Sequence, residues 1–363
     1  MSGTTLYTAR WLLPVTRPAL RDAGLLVDQD GRIAGIGTVS EMTVSDDVVR
    51  VDLGESVILP GLINIHAHPE LAAFRGLLED LPFHEWIPAL MRCKRGAQLT
   101  PEDYGVAARW TCLESLRAGI TTVGATEDSG AAVRALSEAG MRGLVYLEVF
   151  GPDPDRAEES LAALRAKLEL HAAAANSRVR LGVSPHAPYT VSDALYALVA
   201  AFARAERLPV ATHAAEAEAE ELLVREALGP FAAGLRSRGI ATYVRGRSTV
   251  DMLRRTGVLE CAPLLIHAVR VSADDVRDLA AAGASIAHCP IANARLGHGI
   301  APVVEAMQSG VRVAIGTDSV ASNNRLDLLE EAHVAQAVQR ARLHSAGALP
   351  SQQLLEMVTI ESA

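Results

Sequence analysis

The chain has no CxxC pair: its four cysteines, Cys93, Cys112, Cys261 and Cys289, are scattered through 363 residues. That spacing argues against a disulfide framework, a zinc ribbon and a thioredoxin-type site, and leaves reduced, buried thiols as the reading. Apolar runs near the roughly 18 residues of a membrane helix are missing, and the opening "MSGTTLYTARWLL" lacks the basic patch, apolar core and cleavage site of a signal peptide. A cytoplasmic location without a membrane partner is expected. Positive charge is also short, 34 basic against 43 acidic residues for a net −9, so nothing offers a footprint for a phosphate backbone and nucleic acid is not an expected partner. Gly297, Gly299 and Gly316 form no strand–glycine–helix phosphate cradle, which removes a nucleotide cofactor. The H-x-E and P-C-x-x-C signature of zinc nucleobase deaminases is absent too. No internal repeat or low-complexity segment stands out beyond a bias to alanine.

What is present is apolar content, 49% of residues, enough for a large core. Before Gly61 short β-type runs dominate, with Asp30-Gly31 as a hairpin turn in "LLVDQDGRIAGIG". Beyond it, short apolar strands alternate with longer amphipathic segments. Eight strands are expected to begin near Gly61, Ile120, Gly143, Val179, Leu208, Leu264, Ala284 and Val311, the pattern of an α/β (β/α)8 barrel, with an open doubly wound sheet as the rival. Thr100 to Asp103 and Ser272 to Asp275 read as helix starts, whereas Gly119, Gly140, Gly283 and Gly310 read as helix ends turning into strands. The expected domains are residues 1–57, N-terminal strands, and residues 58–363, the barrel. The segment from about Gly229 to Ser248, with several Gly and Arg and poor periodicity, is expected to be a loop over one barrel mouth.

The barrel strands end in polar residues: "NIHAH", "SPHAPYT", "ATHAAE", "LIHA", "AHCP" and "GTDS". At the C-terminal end of a barrel strand such residues face the active-site mouth. One histidine there is most simply a hydrogen-bonded core residue; six strands delivering His or Asp to one rim point to chemistry. His66 and His68, one residue apart, face the same way at a strand end. With His213 and Asp318 they make a three-imidazole, one-carboxylate set suited to a divalent ion, zinc first, with iron or manganese as alternatives, and with a position open for water. Such an ion would lower the water's pKa toward about 7 and make hydroxide available. Glu216, three residues past His213, is placed to shuttle the proton to a leaving group, although a helix N-terminal acid is the plainer reading. His267 is read as orienting the hydroxide or polarising the attacked group, and Asp318 as both ligand and proton acceptor. Glu79, Asp80 and Glu85 read as solvated, Cys289 as packing, and Trp86 as wall or core.

The ordered motifs "PGLINIHAH", "SPHAPYTVS", "THAAEAEAE", "IHAVRVS", "AHCPIANARLG" and "GTDSVASNN" resemble the amidohydrolase superfamily, in its cytosine deaminase-like and chlorohydrolase-like group, from Pro60 to Asn324. The resemblance implies a (β/α)8 TIM-type barrel, a small β-sandwich holding the N-terminal strands, and one divalent metal on the four proposed ligands. It also implies Glu216, His267 and Asp318 as proton-transfer and orienting residues and His186 as a substrate contact. Binuclear relatives need a strand-four lysine or glutamate, which "VRLGVS" does not supply. "RGLLEDLPFHEWI" resembles the loop that adenosine-type deaminases lay over their ligand, with Trp86 as its aromatic wall. "CKRGA", however, is basic where the adenosylhomocysteine branch carries a carboxylate. "HAHPEL" with Glu70, "LPFHEWIPAL" and "LGPFAAGLRSRGI" look more like aminodeoxyfutalosine deaminases of menaquinone synthesis. The expected reaction is therefore hydrolytic deamination of an aminated purine nucleoside, 6-amino-6-deoxyfutalosine being the lead. A chlorohydrolase or amide hydrolase on the same scaffold and a silent binding relative are the alternatives. In the family the chain returns to complete the sandwich; this sequence ends at "LLEMVTIESA", so the C-terminal sandwich strands are expected to be missing. Expected partners are a small-molecule substrate and, over exposed strand edges, another segment or a second subunit as a homo-oligomer.

Overall fold

The structure, a computed structural model, describes residues 3–363. It divides into two compact units, one ending at Gly61 and the other spanning Leu62–Ala363.

The first unit is one five-stranded sheet: β1 (Thr5–Leu12), β2 (Leu20–Val27), β3 (Ile33–Thr38), β4 (Val49–Asp52) and β5 (Val57–Ile58). β1, β2 and β3 form an antiparallel meander, and β4 and β5 pair parallel to β1. The β2–β3 connection is set locally. The Asp28 carboxylate accepts the N–H groups of Asp30 and Arg32, while Gly31 takes φ +76°, a left-handed conformation free of Cβ strain only in glycine. β5 belongs to this sheet, so the unit runs a few residues past 57. The second layer that a sandwich requires is not among the described residues.

The second unit carries eight parallel strands: β6 (Leu62–Ala67), β7 (Ile120–Glu127), β8 (Arg142–Val149), β9 (Val179–Pro185), β10 (Ala211–Ala214), β11 (Leu264–His267), β12 (Ser285–His288) and β13 (Arg312–Ile315). β6 to β9 and β10 to β13 pair consecutively. Bridges Val183–Val210 and Ala67–Asp318 join the two runs at both seams, which closes the barrel. Successive residues serve opposite faces. On β8, Val145 and Leu147 pack with helix residues such as Leu136 and Leu164, whereas Leu144 and Tyr146 cluster with residues of other barrel strands such as Ile266 and Ala287, which makes the latter the barrel interior.

Thr100 and Ser272 each close a reciprocal capping box with the Asp three residues on. Gly119, Gly140, Gly283 and Gly310 all have φ between +65° and +86° where a helix turns into a strand. The expected loop from Gly229 to Ser248 is wrong in its first half: Gly229–Ser237 is a helix. Pro230 pre-sets its first turn, and Ala232 and Leu235 bury beside Phe83 and Trp86, so tertiary packing overrides the two glycines. Among the described residues no helix is long and apolar enough to cross a membrane.

Candidate active site

The first and eighth barrel strands are fastened to each other where the imidazoles emerge. Buried Asn64 donates from Nδ2 to Thr317 Oγ1 (2.8 Å) and accepts the Thr317 N–H at Oδ1 (3.0 Å), and the Asp318 N–H donates to the His66 carbonyl (3.0 Å). Gly316 permits the approach, since a Cβ there would stand 2.9 Å from His66 N and Cβ. Asp318 Oδ1 consequently lies 3.3 Å from His66 Nε2 and 3.5 Å from His68 Nε2. From β10, His213 Nδ1 donates to the His186 carbonyl (3.1 Å), which leaves its Nε2 bare, 3.3 Å from His68 Nε2. His66 Nδ1 pairs with Thr126 Oγ1 (2.8 Å), and its buried Nε2 has no hydrogen-bond partner.

This donor set fits a divalent cation. An orphaned imidazole nitrogen, two further imidazole nitrogens facing each other and one carboxylate oxygen converge, and each of His66, His213 and Asp318 is oriented by a second contact. Burial first, then the neighbouring imidazoles, hold His68 and His213 well below the ordinary histidine value, in the neutral form that ligates. Burial alone would push Asp318 up. The His66 ring nitrogen 3.3 Å away and the other imidazoles outweigh it and keep the carboxyl well below the usual range, anionic.

Glu216 is buried beside this cluster. Its Oε1 is 3.3 Å from His267 Nε2 and 3.1 Å from His298 Nε2, and its Oε2 accepts from Tyr189 Oη at 3.4 Å. Burial pushes its carboxyl up to about 7, against the pull of His267. The turn presenting it is held by Glu220, whose carboxylate accepts the N–H groups of Ala215 (2.7 Å) and Glu216 (3.2 Å) and the Thr249 hydroxyl (2.6 Å). His267 Nδ1 donates to Asn293 Oδ1 (2.9 Å), which turns Nε2 toward Glu216. His288 stands apart, buried with neither ring nitrogen hydrogen-bonded.

Over these groups opens a cavity of about 730 Å3 whose deep end holds His68, His213, His267, Asp318 and Glu216. Its walls include Phe83 stacked on Trp86, Tyr189 stacked on Phe231 behind it, and Phe150 against His186. The buried Trp86 Nε1–H lacks an acceptor, a donor left for a ligand. His186 lines the wall, with Nδ1 on Thr190 Oγ1 (2.7 Å); burial lowers its pKa to about 3 and keeps it neutral. Glu70 also lines the wall, but its oxygens are engaged by Lys94 Nζ (3.0 Å) and the Ser129 N–H (2.8 Å).

Sequence reasoning missed Glu148, His298, Asn293 and Tyr189. Glu148 lies near the end of β8, with a buried, unpartnered Oε1 3.9 Å from His186 Nε2. The strand-end rule that selected the histidines would have found it had it been applied to glutamate. His298 follows the helix Pro290–Arg295 in a loop, where no periodicity marks it.

The model of the amidohydrolase family matches residues 57–363. The 5'-deoxyadenosine deaminase of Methanosarcina mazei is 33% identical over 351 residues, covering 94% of this chain and 74% of that protein. Among solved structures, the aminofutalosine deaminase of Helicobacter pylori in complex with methylthio-coformycin superimposes with a TM-score of 0.84 at 21% identity, covering 99% of this chain and 85% of that one. The zinc-complexed atrazine chlorohydrolase of Arthrobacter aurescens does so with a TM-score of 0.81 at 22% identity, covering 99% and 82%. At these identities the two structures speak for the fold.

Proposed function

This chain belongs to the amidohydrolase family, and we propose that it is a metal-dependent deaminase that hydrolyses the exocyclic amine of an adenosine-type nucleoside. The observation that carries the reading is the convergence of His66, His68, His213 and Asp318 beside a buried Glu216, its carboxyl pushed up to about 7, at the deep end of an apolar, aromatic-walled cavity. The 5'-deoxyadenosine deaminase relative points to the substrate class, and 6-amino-6-deoxyfutalosine remains a member of it.

His66, His68, His213 and Asp318 would hold the ion, zinc by preference for this donor set. Bound there, a divalent ion lowers the pKa of a water toward about 7 and so supplies a nucleophile at neutral pH. The adenine ring lies against the aromatic wall that includes Trp86 and Tyr189, with C6 toward the metal ligands. Glu216 takes one proton of the attacking water at a carboxylate oxygen and returns it to the ring nitrogen next to C6; the proton of the hydroxyl now on C6 passes by way of Asp318 to the exocyclic amine, the C6–N bond breaks, ammonia leaves and C6 becomes a carbonyl. A neutral His267, fixed by Asn293, keeps its Nε2 beside the Glu216 carboxylate, 3.3 Å from Oε1, where it orients the attacking water.

The test is ammonia release by zinc-loaded protein from 5'-deoxyadenosine, adenosine and 6-amino-6-deoxyfutalosine, run beside chloride release from chlorotriazines. Ammonia from the nucleosides supports the proposal. Chloride alone replaces it with the chlorohydrolase reading, which the Arthrobacter aurescens structure keeps in view through its shared fold.

A further inference from the structure

The helix Pro101–Arg117 carries its side chains the wrong way round for a surface helix. Toward the barrel it buries small residues, Ala107, Ala108, Thr111, Cys112 and Ser115. Its large apolar residues lie on the outer side: Val106 is 55% exposed, Trp110 54%, Leu113 50% and Leu116 45%. Among the described residues no other helix carries more than one exposed large hydrophobic residue. A surface helix keeps a polar side for solvent, and one that is apolar on both sides is a buried helix, so this face is built to be covered.

The charges at its ends identify the cover. Glu102, Val106, Trp110, Leu113 and Arg117 are spaced four, four, three and four residues apart, and all five are exposed. At 3.6 residues per turn they fall within an arc of about 80°. The acid stands at one end of this stripe and the base at the other. A two-fold axis crossing the helix midway between residues 109 and 110 therefore sets Glu102 opposite Arg117 of a second copy, Val106 opposite Leu113, and the two Trp110 indoles against each other. Glu102 already holds Arg109 of its own chain (2.6 Å), so across the axis it gains a second guanidinium. Parallel pairing would instead bring the two Glu102 and the two Arg117 side chains together, which like charge disfavours.

We propose that this face is the two-fold interface of a homodimer, in which the helix Pro101–Arg117 packs antiparallel on its copy. Trp110 is the central anchor, and the Glu102–Arg117 pairs at the ends fix the register. An interface centred on one helix pair belongs at the small end of the specific range, below about 1,200 Å2, so a Kd on the order of 10 µM is expected. The inference does not depend on which reaction the barrel catalyses.

The experiment is sedimentation equilibrium of the chain from about 0.5 to 100 µM, with a monomer–dimer equilibrium as the expected result. Trp110→Glu, a substitution at an exposed position, should keep the parent's Tm and raise Kd at least about 100-fold, because each interface loses both anchors. Cysteine variants test the orientation. Residues 106 and 113 of one chain stand about 10 Å apart along the helix, too far for a disulfide, whereas antiparallel pairing puts them opposite each other in the dimer. Under a mild oxidant that leaves the parent uncross-linked, V106C mixed with L113C should form a covalent dimer, and neither variant alone should. A parent that stays monomeric at 100 µM overturns the proposal and leaves the face to a different partner or segment. A dimer that survives Trp110→Glu, a mixture that does not cross-link, or V106C cross-linking as readily alone overturns it as well.

Discussion

Gly316→Ala is the sharpest probe of how this barrel positions its ligands. An added Cβ at residue 316 would meet His66 N and Cβ at 2.9 Å and His66 O at 3.0 Å, where ordinary contact begins at about 3.4 Å. The seam between β6 and β13 must therefore open by about half an ångström, and the obstruction is backbone rather than a side chain that can swing away. Overpacking of this kind costs ~1–3 kcal/mol. For a unit of this size that is a fall in Tm of roughly 2–6 °C. The second consequence is specific to the site. Metal–ligand distances hold to within about 0.2 Å, so a half-ångström displacement of His66 relative to Asp318 should weaken zinc affinity by roughly 10–100-fold, the scale of orienting-residue mutations at metal sites. The assay is zinc competition against a chromophoric chelator, with scanning fluorimetry on the same samples. Gly234→Ala is the control. It lies inside the helix Gly229–Ser237 with nothing within 4 Å of its added Cβ, and it should stabilise by ~0.5–1 kcal/mol without touching metal affinity. If Gly316→Ala binds zinc like the parent, direct backbone contact between the two strands is not what sets the site.

Four further outcomes are expected. Glu216→Gln should keep its metal and lose on the order of 100- to 10,000-fold in kcat; undiminished turnover would remove the assigned role. Because burial raises the Glu216 carboxyl to about 7 and the anion is the form that accepts a proton, kcat/KM of the parent should fall about tenfold per unit as pH drops below about 7. A profile flat from pH 5 to 8 contradicts that. Dialysis against a strong chelator should abolish ammonia release and lower Tm, and stoichiometric zinc should restore both. His298→Ala removes the imidazole whose Nε2 lies 3.1 Å from Glu216 Oε1 and its edge contact with Phe83, so kcat should drop roughly 10-fold, what a one-unit change in the Glu216 pKa is worth, at unchanged metal content.

Much of the barrel was legible because its signals are local. Thr100 with Asp103, Ser272 with Asp275, and the glycines at 119, 140, 283 and 310 act through their own backbone neighbours, so sequence spacing sufficed. His66, His68, His213 and Asp318 were readable for a related reason: each lies at the end of a short apolar strand or within three residues past it, and parallel strands of a closed barrel must converge at one end. His298, Tyr189 and Asn293 come to Glu216 and His267 from loops and from within a short helix, whose paths are set by tertiary packing that no spacing encodes. The helix Gly229–Ser237 was hidden for the same cause. Its two glycines argue against a helix in isolation, and only burial of Ala232 and Leu235 reverses the balance.

The rim carries its reactive groups on backbone that is itself unfavourable. Ala215 (φ +53°), His267 (+75°), Ala268 (+46°) and Asp318 (+58°) all adopt left-handed conformations without being glycine, each costing on the order of 1 kcal/mol or more. Four such positions within a few residues of Glu216, His267 and Asp318 would not persist unless neighbouring groups fixed them. Glu220 ties Ala215 and Glu216 through their N–H groups, the Arg270 and Ala268 N–H groups donate to the carbonyls of Ala215 and Ala214, and Ser322 Oγ donates to Asp318 Oδ2 (2.8 Å). Glu331 repeats the device nearby, accepting the Ile291 N–H and the Asn323 amide. Buried carboxylates in this unit thus have two separate employments. Glu220 and Glu331 spend their oxygens on backbone and amide donors and hold the loops still, whereas Glu216 is left with imidazoles and a phenol, partners that can exchange a proton with it. Position alone does not separate structural from reactive acid here, since Glu216 and Glu220 are four residues apart and equally buried. What each oxygen faces does.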